Sequence, residues 1–385
     1  MAKGDLSYPL NPIAGQAPQR PKDILFLVID SWRYDTFTPE VMPTIWELSK
    51  KGLVYNDHMS AGNSTRTGIF GLFYGIPGAY WHAFLANQRS SVLVDRLQQL
   101  DYQLGIFASA QLINPEFDRT VFRHVPDLRI GSEGNTVSER DRDLIDDWKA
   151  WYQSSSRSKP VVSFLFFDSP HGYDFPTSYE SKFEPMLKEL NYLLLSKDTD
   201  PTPLFNRYKA SVSYVDSLVK EVIETLQAQG MLDDTMILIT GDHGQELNDN
   251  KLNFWGHNSN FTNSQVKVPF LLIGPQVLDK ANKQYLNSFT SHEDVVPTLM
   301  KNYLGVTNNI TDYSTGVDLF GSFDQRDWVI SSSYSAYSII SADSILEVNA
   351  VGGYQSLDRT NRRMDKALNT EQVTNVLERI SRFLK

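Results

Sequence analysis

The chain has 385 residues, 41% of them apolar, enough to bury one large α/β core or two smaller ones, which excludes disorder as its default state. A formal charge of −10 excludes nucleic-acid binding through a basic footprint, and the lack of cysteine removes disulfides, thiolate metal sites and cysteine nucleophiles together. The longest apolar runs are too short to cross a bilayer and no signal-peptide core follows Met1 to Asp5, so the sequence predicts a soluble chain.

Leu10 to Pro21 carries several prolines and no hydrophobic period, and residues 1–22 are expected to form an extended linker. Ile24 to Ile29 is a continuous β-prone run ending in Asp30, the pattern of a strand buried on both faces of a parallel sheet. Ser60 to Phe73 then passes from a polar, glycine-containing loop into an apolar stretch, which predicts a helix N-terminus. Further buried strands are expected at Gln103 to Ala108, at Val161 to Phe167 before Asp168, at Thr235 to Thr240 before Gly241-Asp242-His243-Gly244, and at Val268 to Ile273. Among the helices between them, the clearest aligns Val215, Leu218, Val219, Val222, Ile223 and Leu226 on one face, with Gly230 as its stop. This alternation predicts an α/β fold, a doubly wound and mostly parallel sheet flanked by helices, over residues 23–305.

Residues 306–385 change character. Ser/Tyr-rich β-like segments at Trp328 to Ile340 and Ile345 to Tyr354 precede an amphipathic helix that starts near Asn369 to Gln372, with Val373, Val376, Leu377, Ile380 and Phe383 as its stripe. They are expected to form a smaller C-terminal α+β subdomain.

Ligands of such sheets bind beyond the carboxyl ends of the strands, which singles out Asp30, Asp168, His171, Asp242 and His243. An isolated Asp-His pair reads equally as a capped loop or a satisfied hydrogen-bond pair. With Asp30 at an equivalent strand end, two carboxylates and an imidazole make three ligands of a divalent metal site for Mg, Mn or Zn. At the helix N-terminus, Thr65 is either a nucleophile made acidic by the metal or a simple N-cap. Arg66 beside it is either a clamp for phosphate oxygens or a surface arginine, and Arg359, Arg362, Arg363 and Lys366 are either a solvated face or an anionic-lipid site.

Tyr208 to Val219, followed by Leu226 to Gly244, closely resembles the signature of the sulfatase and alkaline phosphatase superfamily that leads into its metal-binding Asp-His, and Ser291 to Leu299 resembles a second segment of that family. Gly62-Asn-Ser-Thr65 is similar to the loop carrying the threonine nucleophile of lipoteichoic acid synthases and lipid A phosphoethanolamine transferases. The resemblance implies that Asp30, Thr65, Asp242 and His243 hold one metal, although Asp30 stands where those enzymes usually have glutamate. It also implies that His171 and His257 contact the substrate phosphate or a second metal; loop packing is the other reading of both. His82, His124 and His292 are left as structural. A formylglycine sulfatase is excluded, because Gly62 stands where a cysteine or serine would be converted.

Over nearly its whole length the chain resembles the periplasmic domain of the YejM family of inner-membrane proteins of enteric bacteria. That implies a preceding membrane domain, a place in outer-membrane lipid homeostasis, and as partners anionic lipids (lipid A or lipopolysaccharide, cardiolipin) and inner-membrane regulatory proteins, with no nucleic acid. Lys251, Arg207 and the Arg359 to Lys366 cluster are the candidates for lipid contact. Two expectations follow: a metal-dependent phosphatase acting through Thr65, or a catalytically vestigial lipid-sensing domain.

Overall fold

In the computed structural model, which describes residues 4–385, the first long apolar run forms β1 (Asp23–Ile29). Its side chains alternate between two cores, Ile24, Phe26 and Val28 on one face and Leu25, Leu27 and Ile29 on the other, so a run with no polar residue is what this position requires. The same logic builds β2 (Gly52–Val54), β3 (Gln103–Ala108), β4 (Val161–Phe167), β5 (Thr235–Gly241) and β6 (Phe270–Ile273). They form one sheet in the order β2-β6-β5-β1-β4-β3. Strands β5, β1, β4 and β3 are mutually parallel, while β6 runs antiparallel to both β5 and β2.

Helices cover both faces. On one lie α1 (Pro43–Ser49), α5 (Val137–Gln153) and α6 (Thr202–Ala228); on the other lie α2 (Thr65–Tyr74), α3 (Trp81–Asn87), α4 (Val92–Gln99) and α7 (Val295–Asn302). The α5 start is fixed by a capping box between Thr136 and Glu139. The expected face of α6 is buried at Val215, Leu218, Val219, Val222 and Leu226, and the helix ends two residues before Gly230, whose φ of 68° reverses the chain.

The C-terminal part is an antiparallel sheet of β7 (Trp328–Ser332), β8 (Ala336–Ser341), β9 (Ile345–Asn349) and β10 (Tyr354–Leu357), with α8 (Thr370–Ser381) against it. The Asn369 side chain caps α8 by accepting from the Gln372 N–H. Val376 packs on Ile330 and Ile339, whereas Leu377, expected on the buried stripe, is 51% exposed: the helix lies on the sheet through a narrower seam than its apolar residues suggest.

The first three positions of the expected 1–22 linker lie outside the described residues. The rest is extended but docked, with Tyr8 buried against Tyr74, Phe84 and Phe383 and bridges from Leu6 to Leu384 and Gly15 to Val306. The proline content of this stretch carries no signal of that packing. Among the described residues, no helix is long and apolar enough to cross a membrane.

Candidate active site

The register of the sheet builds the site. Ile29 of β1 pairs with Gly241 of β5 on one side and with Phe167 of β4 on the other. The next residues are Asp30, Asp242 and Asp168, so three carboxylates leave three adjacent strands side by side at the carboxyl edge of the sheet.

Their surroundings hold them in place. Ser31 adopts a φ of 57° and turns the chain so that its N–H donates to Asp242 Oδ1 at 3.0 Å, and the His243 N–H donates to the same oxygen at 2.8 Å. Tyr208 of α6 closes the turn, donating its hydroxyl to the Ser31 carbonyl at 2.5 Å and accepting the Arg33 N–H at 2.8 Å. Behind β5, His292 Nε2–H donates to the Gly241 carbonyl at 2.9 Å, which leaves His292 Nδ1 to accept from His58 Nε2–H at 2.8 Å. The structure thus gives His292 a buried position supporting the strand end.

Thr65 is the first residue of α2, and Ser64 occupies the N-cap without a side-chain capping bond. The Thr65 hydroxyl therefore caps nothing. Oγ1 lies 2.6 Å from Asp242 Oδ2, 3.3 Å from Asp30 Oδ2 and 3.5 Å from His243 Nε2. Gly62, four residues before Arg66, has no room for any side chain: a Cβ there would collide with the Thr67 side chain and press on the Gly68 backbone.

His243 is fully buried, and its Nδ1–H donates to the Gly244 carbonyl at 2.6 Å, so Nε2 is the ring nitrogen turned toward the carboxylates. That atom is 3.4 Å from Asp30 Oδ1 and 3.5 Å from Asp242 Oδ2. One donor atom from each of Asp30, Asp242 and His243 lies within 4.8 Å of the others, and the same holds for Asp30, Asp168 and His171, with Asp30 common to both groups. Burial, and then the charge of Asp30, pushes Asp242 up to about 6 and Asp168 well above the usual carboxylate range. Burial also acts on Asp30, but His171 and His243 outweigh it and hold that carboxyl low. Among the described residues neither lysine nor arginine pairs with these acids. Crowded carboxylates plus an imidazole whose Nε2 faces inward are a donor set that fits a divalent cation, which would take the place of the proton on that nitrogen.

Both remaining histidines of interest reach this cluster. His171 Nδ1 is 3.4 Å from Asp30 Oδ1, and that carboxylate raises His171 to about 10. His257 stacks on His243 with ring centroids 4.2 Å apart and lies 5.2 Å from the His171 ring. Its Nδ1–H donates to Gln245 Oε1 at 2.8 Å, and Gln245 in turn donates to the Tyr173 hydroxyl. Burial, and then the charge of His243, lowers His257 to about 3. Gln245, Tyr208 and the grouping of Asp168 with Asp30 escaped the sequence reading; only the signature run around Tyr208 could have drawn attention to that residue. His82 and His124 are exposed and lie outside the cluster.

The basic candidates are mostly committed elsewhere. Arg207 donates to the Leu187 and Lys188 carbonyls, Arg359 to the Ser341 carbonyl and Asn263 Oδ1, and Lys366 pairs with Asp343. Lys251 and Arg363 are exposed.

The sequence and the fold have counterparts among known proteins. The inner membrane protein YejM of Salmonella typhimurium is 26% identical over 356 residues, 92% of this chain and 54% of that protein. The chain spans about half the length of the curated relatives it matches. A protein of the alkaline phosphatase superfamily from Vibrio parahaemolyticus shares the fold with a TM-score of 0.66 at 13% identity, over 95% of this chain and 88% of its own. The C-terminal periplasmic domain of EptC from Escherichia coli, solved in complex with Zn, does so with a TM-score of 0.64 at 14% identity, over 86% and 95% respectively. The sulfatase family profile matches residues 22–306, most of the chain, and the chain belongs to that family.

Proposed function

We propose that this domain hydrolyses phosphate esters on the periplasmic side of the inner membrane, with Thr65 as nucleophile and Asp30, Asp242, His243 and the Thr65 hydroxyl around one divalent ion, Mg, Mn or Zn. The observation that carries the reading is the convergence on Thr65 Oγ1, 2.6 Å from one buried carboxylate and 3.3 Å from a second, at the start of a helix.

When bound, such an ion supplies a Lewis acid that makes a nearby hydroxyl more acidic and offsets charge on phosphoryl oxygens. The chain's own groups do the rest. Asp242 Oδ2 holds the hydroxyl hydrogen of Thr65, which turns an oxygen lone pair toward an incoming phosphorus. The free N–H groups of the first turn of α2 favour the phosphoryl anion. A bond forms from Thr65 oxygen to phosphorus as its proton passes to Asp242 Oδ2, the ester P–O bond breaks, and an imidazole of the His171 and His257 pair gives the departing oxygen its proton. Water then attacks the phosphothreonine, the Thr65 O–P bond breaks as Asp242 returns the proton to the Thr65 oxygen, and the imidazole recovers a proton from that water.

The test is hydrolysis of a chromogenic phosphate monoester by metal-stripped protein, before and after addition of Mg²⁺, Mn²⁺ or Zn²⁺, for wild type and Thr65→Ala. Metal-dependent turnover that disappears in Thr65→Ala is expected; full activity in Thr65→Ala would overturn the scheme.

The similarity to YejM over 92% of the chain favours a second, compatible reading. Here the domain acts in outer-membrane lipid homeostasis through anionic lipids, lipid A or lipopolysaccharide or cardiolipin, and through inner-membrane protein partners, with hydrolysis secondary. On this reading Thr65→Ala and Asp242→Ala in the full-length protein complement its loss. Failure of either stably folded variant to complement would remove it.

A further inference from the structure

Arg66 follows Thr65 directly, yet its guanidinium serves no structural ion pair among the described residues, and its Nε is buried without a hydrogen-bond partner. It is held instead by aromatic faces. Its guanidinium carbon lies 4.2 Å from the ring centroid of Tyr334 and 5.6 Å from that of Trp81. Such stacking fixes the plane of the group but satisfies none of its five N–H donors, and it leaves a fork suited to bidentate contact with an anion.

The clamp is built into the junction of the two parts of the fold. Tyr334 sits in the turn between β7 and β8, where its carbonyl accepts from His82 Nε2–H at 3.1 Å and its ring meets the His82 ring at 4.7 Å. Ser332, two residues earlier, is tied to the nucleophile loop: its N–H donates to the Ala61 carbonyl at 2.8 Å, and its carbonyl accepts from Asn63 N–H at 3.2 Å and Thr67 Oγ1 at 2.9 Å. The C-terminal sheet thereby ties an exposed tyrosine and the arginine stacked on it to the loop that carries Thr65.

The two side chains diverge. Trp81 contacts both Arg66 and, one helical turn on, Phe70, whereas Thr65 faces Asp242. An anion on the Arg66 fork is thus a different group from the phosphoryl that Thr65 would attack. We propose that Arg66, stacked on Tyr334 and flanked by His82, forms a second anion subsite for the departing part of the substrate, so that the esters preferred here carry a further carboxylate or phosphate beyond the bond that is cleaved. This rests on the phosphoesterase reading and narrows its substrate class.

Phenyl phosphate and 3-carboxyphenyl phosphate differ mainly in that second charge. Wild type is expected to favour the carboxylated ester by about tenfold in kcat/KM, the scale of one charge-assisted bidentate contact. The ratio should fall to about one in Arg66→Ala and to an intermediate value in Arg66→Lys and Tyr334→Ala, since a lone ammonium or an unstacked fork holds the anion less well. A wild-type ratio of one, or a preference that survives in Arg66→Ala, overturns the subsite. Calorimetric binding of phenylphosphonate and 3-carboxyphenylphosphonate, which are not hydrolysed, separates the two ideas. If no ester turns over but the carboxylated phosphonate binds more tightly through Arg66, the subsite stands and the hydrolytic reading fails. If the two phosphonates bind equally, or neither binds, the subsite is refuted whatever the hydrolysis assay shows.

Discussion

Gly68 of α2 lies directly against the Asp242 carbonyl, and a Cβ at that position would collide with it. Ser60 donates its hydroxyl to the same carbonyl at 2.5 Å, so α2 and the Asp242 loop meet backbone to backbone. The 2.6 Å approach of Thr65 to Asp242 depends on that contact. Gly68→Ala is expected to push α2 away, with an overpacking penalty of about 1–3 kcal/mol. Thermal unfolding should show a modest loss, while ester hydrolysis should fall much further than the stability change explains. An alanine variant of wild-type activity would mean that the contact does not set the position of Thr65.

Tyr208 supports the opposite wall. Its hydroxyl is the partner of both the Ser31 carbonyl and the Arg33 N–H, and it is fully buried. Tyr208→Phe strands two buried backbone groups, at about 1–3 kcal/mol by the usual penalty. Because the turn it closes carries Asp30, turnover should drop as well, with kcat affected more than KM. Unchanged denaturant midpoints and unchanged kcat in this variant would show that water replaces the hydroxyl at no loss.

How much of this was legible before folding depends on where each partner lies in the chain. Asp30 and Asp242 announce themselves because a strand buried on both faces is a continuous apolar run, and the first charge after it stands out. Asp168 has the same local signal, but its grouping with Asp30 exists only through the register of β1 on β4, across 138 positions between paired residues Ile29 and Phe167. Arg66 reads equally as a clamp for phosphate oxygens and as a surface residue until Trp81 and Tyr334 are brought to it from two other segments. Tyr8 carries no sequence signal of burial inside a proline-rich stretch, because its aromatic partners come from α2, α3 and the C-terminus. Local pattern thus shows strand ends and helix starts, while side-chain partnership belongs to the assembled sheet.

Acid sensitivity should arise in part between α5 and α6. Arg142 and Lys149 of α5 both pair with Glu221 of α6, and the hydrogen bonds from Arg142, then those from Lys149 and the two charges, pull that carboxyl down to about 2 from its ordinary 4.5. A carboxyl depressed in the folded state contributes stability that is fully present above its unfolded value and is lost as pH falls from 4.5 through about 2. The pair is partly open to solvent, so screening reduces the effect to about 1 kcal/mol. Glu221→Gln should therefore lower the urea midpoint at pH 7, and the gap from wild type should narrow at pH 3.5. A gap of constant size at both pH values would assign the loss to packing rather than to the ion pairs.

The cluster of Asp30, Asp242 and His243 makes a prediction that needs no substrate. An ion that binds the folded chain alone stabilises it by mass action, by about 2.7 kcal/mol at roughly a hundredfold excess over Kd. Adding Zn²⁺, Mn²⁺ or Mg²⁺ to chelator-treated protein should raise Tm in a concentration-dependent way, and a chelator should reverse the rise. Asp242→Asn removes an oxygen ligand from between Thr65 and His243 and should abolish the shift. Thr65→Ala removes one neutral donor from a set that keeps two carboxylates and an imidazole, and it should retain most of the shift while losing turnover. Calorimetry should count one ion per chain; a second equivalent, lost on His171→Ala, would mean that the group of Asp30, Asp168 and His171 also takes a cation. If none of the three ions moves Tm in protein shown to be folded, the cluster does not bind them, and the chemistry proposed for Thr65 loses its support.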